Sequence, residues 1–247
     1  MRLEKLKERY ILLGEIAAET PLHVGRGRGE KDLGEADLPI LKFPDERIYI
    51  PGSTLKGCLR SEVERILTQL GFRVCIYKQR REISPTYECN SENPCVSCEI
   101  FGSTRMGSRI IVRDAVSKEK NSSFRKGVAL LRDTKTVDPK GPFEIEFAAP
   151  GTIFDMEIII ENPQKWMLGV IFTAMESLPA VGGQTSRGMG KVKININRIE
   201  KWTAESVIRQ QPEMIYEGKE LEEFVEGCKQ EFRENIGMLK ERYGGSS

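Results

Sequence analysis

Histidine is almost missing from this 247-residue chain, with His23 its only copy. Chemistry that needs two imidazoles trading protons near neutral pH is therefore disfavoured. Long apolar runs are missing too. The longest, WMLGVIF and IFDMEIII, are far shorter than the ~20 residues that a bilayer-spanning helix needs. The opening MRLEKLKERYILLGE is charged and has no apolar core of the signal-peptide kind, so a cytoplasmic location is expected. The phosphate-loop pattern G-x-x-x-x-G-K-S/T does not occur, and no convincing internal repeat is visible. The formal net charge is only +1, so no global field draws the chain to a polyanion.

Hydrophobic residues make up 39% and charged residues 30%, a balance that leaves enough apolar side chains for one sizeable core. Six cysteines without a secretion signal point to reduced thiols, and to metal ligation over disulfides. Charge is unevenly placed. From position 51 to 140 about 17 Lys/Arg stand against about 10 Asp/Glu, while the stretch after position 200 is acidic by about three charges. A basic middle balanced by an acidic tail fits a polyanion-binding face; ordinary surface heterogeneity gives the same pattern.

YILLGEIAAE reads as a first strand, TPLHVGRGRGEKDLGEADLPILKFPDE as a long glycine-rich loop, and RIYI as a short strand. Leu55, Leu59, Val63, Ile66 and Leu67 recur at helical spacing, with Ser53 or Thr54 as the expected cap and Gly71 as the stop. SRIIVRDAV predicts a strand, the polar, basic stretch up to Pro150 a protruding hairpin, and GTIFDMEIIIEN another strand. PQKWMLGVIFTAMESL predicts a helix and the alternating KVKININRIEKW a final strand. Positions 221, 225, 228, 232, 236 and 239 form one apolar stripe of a C-terminal amphipathic helix, expected to pack on the core. Without its insertions the order is strand–helix–strand–strand–helix–strand. The expected fold class is α+β, with a ferredoxin-like or RRM-like palm.

Three clusters carry chemistry. Cys89, Cys95 and Cys98 supply three soft ligands, and the C-x2-C pair has the spacing that lets two sulfurs grip one tetrahedral ion. Cys75, on the same insertion, or His23 completes a closed structural site, for which Zn2+ is the expected ion. Cys58 and Cys228 fall on helical apolar positions and read as small buried hydrophobes. In VGGQTSRGMGKVKI, Gly182, Gly183, Gly188 and Gly190 permit close backbone approach, and Arg187 can reach a phosphate. In YIPGSTLKGCLR a helix starts after Pro51-Gly52, leaving amide groups near Ser53 and Thr54 for an anion, with Lys56 and Arg60 on one face. A plain turn and a solvated charged face are the bland readings of the last two.

The segments ETPLHVGRG, IYIPGSTLKGCLRSEVE, CVSCEIFGS, RIIVRDA and VGGQTSRGMGKVKI stand in the order found in the RAMP superfamily of CRISPR systems. Over about residues 10 to 200 the chain resembles the repeated backbone subunit of type III (Csm-like) effector complexes. The resemblance implies an RRM-like palm over residues 1–202 with a thumb hairpin at 117–150; the cysteine cluster makes about 72–108 a zinc-binding insertion, and a C-terminal helical extension at 203–247 lies beyond the resemblance. It implies stacking of copies along a guide crRNA that pairs with a target RNA, beside other subunits of the complex. It places guide contacts at Ser53, Lys56, Arg60, Gly182, Gly183, Arg187 and Gly188, and thumb contacts at Arg132 and Lys135. A zinc-fixed insertion would present Arg105, Arg109 and Arg113 to RNA. In EADLPIL it puts Asp37 at the family's cleaving position, with Asp32 and Glu35 as rivals because the local spacing departs from the family's.

Scission at Asp37 would proceed by in-line attack of a ribose 2′-OH on the adjacent phosphate. A carboxylate of ordinary pKa, about 3.9, is a poor base at neutral pH. The expected role is therefore to hold a divalent cation, Mg2+ in the first instance, and to position the strand. A non-cleaving scaffold and a stand-alone guide-processing endoribonuclease are the alternative readings.

Overall fold

The computed structural model describes residues 5–25, 36–75, 89, 93–130, 133 and 136–244. Asp32, Glu35, Arg132 and Lys135 lie outside the described residues. The chain forms β1 (Glu8–Ala18), β2 (Tyr49–Ile50), α1 (Gly52–Gln69) and α2 (Val96–Phe101). It continues through β3 (Ile110–Val112), β4 (Ala115–Ser117), β5 (Ser122–Leu130), β6 (Val137–Ala148) and β7 (Ile153–Glu161). α3 (Lys165–Ser177), β8 (Val192–Thr203), α4 (Ala204–Arg209), β9 (Met214–Glu217) and α5 (Gly218–Tyr243) complete it.

Among the described residues, seven strands form one antiparallel sheet in the order β2-β4-β7-β1-β8-β9, with β3 also paired to β7. The alternation of β1 decides which face is covered. Tyr10, Leu12, Ile16 and Ala18 are buried on one side, where the helices sit. α1 answers with Leu55, Leu59, Val63 and Leu67, four positions apart along one stripe. Each such side chain contributes about 1.5–3 kcal/mol of transfer free energy before chain entropy is charged against it. α3 is apolar nearly all round, because α1, the sheet and α5 enclose it.

Two details differ from the sequence expectations. The cap of α1 is Pro51, not Ser53 or Thr54, and no side chain of the local sequence caps it. Instead the Gly52 amide donates to Asp114 Oδ1 at 2.8 Å, from across the sheet. A Cβ on Gly52 would lie 2.1 Å from the Val112 carbonyl oxygen, so only glycine lets the helix begin there. The SRIIVRDAV segment is two short strands, β3 and β4, because the register to β7 shifts between Val112 and Val116; the Arg113 amide still donates to the Glu157 carbonyl there at 3.1 Å.

β5 and β6 make a separate two-stranded hairpin, the protruding element. The C-terminal residues join the same body. β9 extends the sheet beyond β8, and α5 packs along α3, burying Leu221, Cys228, Phe232 and Leu239. A Cβ on Gly169 would sit 2.1 Å from the Cys228 carbonyl oxygen. Gly169→Ala must push α5 off α3, and it is expected to cost about 1–3 kcal/mol in chemical denaturation.

Candidate functional site

The chain from Leu22 to Gly25 runs between the hairpin base and the glycine loop, and its backbone is bonded to both. Leu22 and Ala148 exchange amide–carbonyl bonds at 3.0 and 2.8 Å. On the other side the Gly183 amide donates to the His23 carbonyl oxygen at 2.7 Å, and the Gly190 amide donates to Pro21. Gly182 has φ +87°, and a Cβ there would lie 2.4 Å from that same His23 oxygen. His23 is buried, and its Nδ1 lies 2.8 Å from the Glu146 carbonyl oxygen. A carbonyl can only accept, so Nδ1 carries the proton. Nε2 faces Gly25, where an added Cβ would come within 2.8 Å.

A second segment, from Asp37 to Lys42, lies along β6. The Leu38 amide donates to the Glu144 carbonyl, and the Glu146 amide to the Leu38 carbonyl, both at 3.0 Å. Asp37 Oδ2 accepts the Glu144 amide at 2.7 Å. Glu146 is buried within the hairpin base, where Oε1 pairs with Lys42 Nζ at 2.6 Å and Oε2 accepts the Ile40 amide at 3.2 Å. Ile145 and Phe147 pack with Leu38 and with Met189 of the glycine loop. Asp37, the hairpin base and the glycine loop thus form one connected unit. Sequence reasoning had no means of finding Glu144 and Glu146 as anchors, since their partners lie about a hundred positions away.

In the glycine loop, Gln184 and Gly188 adopt left-handed conformations around a single 3-10 turn at Thr185–Arg187. The turn projects Arg187 and Gly188 into solvent. Ser53 is exposed on the first turn of α1. Lys56 and Arg60 turn inward. Lys56 Nζ donates to Ser108 Oγ at 2.8 Å and to the Ile110 carbonyl at 3.2 Å. Burial, and then the neighbouring Arg60 charge, lower its pKa below the usual lysine range. Arg60 bonds to Glu64, to the Gly102 carbonyl and to Cys98. Among the insertion's arginines, Arg105 and Arg113 are exposed, whereas Arg109 is a strut, bonded to Glu99 and to the Asn162 carbonyl.

The thiols of Cys75, Cys89, Cys95 and Cys98 gather so that all four sulfurs lie within 4.8 Å of one another. Metal–sulfur bonds of about 2.3 Å put tetrahedral sulfurs about 3.8 Å apart, so the donor set fits a thiophilic dication such as zinc. His23 belongs to the glycine loop and hairpin base, and takes no part in the cluster. The sulfurs share protons unequally. Hydrogen bonding with Cys75 and Cys98 holds Cys95 well below the usual thiol range. Hydrogen bonding to Cys95 pushes Cys75 up to about 12, and bonding to Cys75 and Cys95 pushes Cys98 up as well. A bound dication would turn all four into thiolates, so acid should release it. With four protein ligands a bound ion would have no open coordination position, as in a structural site. Cys58 and Cys228 stay outside it, each with its thiol pKa raised by burial.

An antiparallel α+β sheet with a projecting hairpin and a four-cysteine knuckle defines the class. The RAMP superfamily pattern matches residues 15–193, most of the chain, which therefore belongs to that superfamily. Within it the chain is similar to proteins named CRISPR system Cms endoribonuclease Csm3. That of Methanocaldococcus jannaschii is 28% identical over 235 residues, covering 87% of this chain and 86% of the relative. That of Methanothermobacter thermautotrophicus is 27% identical over 248 residues, covering 87% and 91%. That of Streptococcus thermophilus is 29% identical over 199 residues, covering 72% and 83%. No helix among the described residues is long and apolar enough to cross a membrane.

Two outcomes are expected. Glu146→Ala strands the Ile40 amide and leaves Lys42 without its buried partner, costing about 2 kcal/mol in denaturant unfolding. Cys95→Ser should reduce metal content measured by mass spectrometry, and weaken retention by more than the ~10–100-fold that loss of an outer-shell partner causes.

Proposed function

We propose that this chain is a guide-RNA-binding backbone subunit of a type III CRISPR effector complex, and that it cuts bound target RNA at Asp37. The observation that carries the proposal is the junction at His23, which fixes Asp37, the hairpin base and the glycine loop in one body. The similarity to proteins named Csm3 endoribonuclease supports the same reading. The strand order β3/β4–β7–β1–β8, with α1 and α3 on one face, is what an RRM-like palm requires. β5 and β6 act as the thumb that interrupts the guide–target duplex.

Ser53, Arg105, Gly182, Gly183, Arg187 and Gly188 supply the guide contacts, with Lys56 and Arg60 holding α1 from behind; Arg132 and Lys135 remain proposed thumb contacts. Backbone contacts position a strand without reading its bases, so copies can occupy successive stretches of any guide. Contact between unlike surfaces of successive copies gives an open filament along that guide, in the company of other effector subunits. Zinc holds the cysteine knuckle. Asp37, fixed through the Glu144 amide, orients the splayed nucleotide and offers its carboxylate to Mg2+, which would supply charge stabilisation at the phosphate.

Complexes assembled with Asp37→Ala subunits should keep guide and target binding and lose target cuts on denaturing gels. Unchanged cutting would return the activity to another residue and leave a non-cleaving scaffold. Arg187→Ala should weaken RNA binding regardless of sequence and lower the slope of log affinity against log salt by roughly 0.7, as loss of one single-strand phosphate contact does.

A further inference from the structure

Arg60 places a guanidinium against the cysteine cluster with each of its nitrogens engaged. Nε donates to Glu64 Oε1 at 2.7 Å, Nη1 to the Gly102 carbonyl at 3.0 Å, and Nη2 to Cys98 Sγ at 3.5 Å. Glu64 Oε1 also accepts from Ser97 Oγ at 2.8 Å, and Ser97 is fully buried next to Cys98 on α2. Glu64 therefore aims the arginine and grips α2 with the same oxygen. α1 is thereby locked to the knuckle by two side chains one helical turn apart.

We infer that Arg60 is the outer-shell cation of the metal site, not a nucleic-acid contact, and that Glu64 is its positioning residue. The inference rests on the reading that the four cysteines hold zinc. Four thiolates around a dication carry a net charge of −2, and three of these cysteines are buried. Such a charge is costly away from water unless it is hydrogen-bonded and compensated. Arg60 provides both, through a donor to one sulfur and a fixed positive charge beside the cluster. A donor to a thiolate also draws off electron density, lowering its appetite for protons. The bound form gains resistance to acid and to chelators. The other consequence concerns α1. The knuckle grips the middle of that helix, so metal loss would loosen it there while Asp114 still holds its first turn.

The test uses the full chain, purified with zinc and separately loaded with Co2+. Parent protein should bind one zinc and show sulfur-to-cobalt charge-transfer absorption. Arg60→Ala should retain zinc about 10–100-fold less tightly in chelator competition. Its metal should also leave at a higher pH than the parent's during acid titration. Arg60→Lys keeps the charge but cannot reach Glu64, Gly102 and Cys98 together, and should fall between the two. Glu64→Gln should weaken retention by less than Arg60→Ala, since the arginine stays but is less firmly aimed. If Arg60→Ala does not yield folded protein, Arg60→Lys and Glu64→Gln carry the comparison. Parent-like retention and release pH in these variants would falsify the inference while leaving the zinc site intact, and reduced RNA affinity with unchanged metal retention would make Arg60 an RNA contact after all. A parent that binds no zinc or cobalt overturns the metal reading itself, and the inference with it.

Discussion

The peptide of His23 is the point on which the proposed site depends. Its carbonyl oxygen receives the Gly183 amide, its ring donates to the Glu146 carbonyl, and its neighbour Leu22 pairs with Ala148. Three stretches of chain far apart in sequence meet there, mostly through backbone groups. Backbone pairing of buried segments tolerates little slack, because an unpaired buried amide or carbonyl costs as much as a lost hydrogen bond. The contact is possible only because Gly182 has no Cβ to strike the His23 oxygen. A rigid cradle results, in which Asp37 cannot shift without disturbing the hairpin.

The cysteine knuckle solves a different problem. Among the described residues its buried apolar cluster comprises Cys89, Cys95, Cys98 and Met106, with Cys75 beside it. On the zinc reading, a bound metal would help to order this cluster. The knuckle in turn supports α1 from its middle. At the start of that helix, Gly52 lies against Val112 and is capped by Asp114, so the same helix is pinned in its middle by the insertion and at its start by the chain that follows it.

Much of this was legible in the sequence wherever one period or one spacing carries the information. The alternation of β8, the apolar stripe of α5 and the C-x2-C pair each specify their element locally, and the structure places them accordingly. Contacts that close over long separations were not legible. Asp114 capping α1, Glu144 holding Asp37 and Glu146 pairing with Lys42 are set by sheet register, which no local pattern encodes. The ends of side chains were the other blind spot. Lys56 and Arg60 share a helical face as their spacing requires, yet that face looks onto Ser108 and the thiols instead of solvent. β9 escaped notice because four residues between two helices are too few to show alternation.

The fate of the cations changes what the charge count means. The excess of Lys/Arg between positions 51 and 140 suggests one basic face, but several of its members are engaged in ion pairs or hydrogen bonds within the chain. Arg60 serves the knuckle, Arg65 pairs with Glu62, Arg109 with Glu99, and Lys118 with Glu15 and Asp155. Among the described residues, exposed positive charge includes Arg105 on the insertion, Arg113 between β3 and β4, Arg125 and Lys126 on the hairpin, and Arg187 on the glycine loop. At physiological salt the Debye length is about 8 Å, so exposed charges further apart than that act separately. They act only at contact range. Under the proposed function, affinity of a single copy for RNA would then be modest, and firm attachment would come from many copies engaging one strand, each adding its few phosphate contacts at high effective concentration. A chain of net charge +1 can bind a polyanion by that route without attracting every other polyanion in the cell.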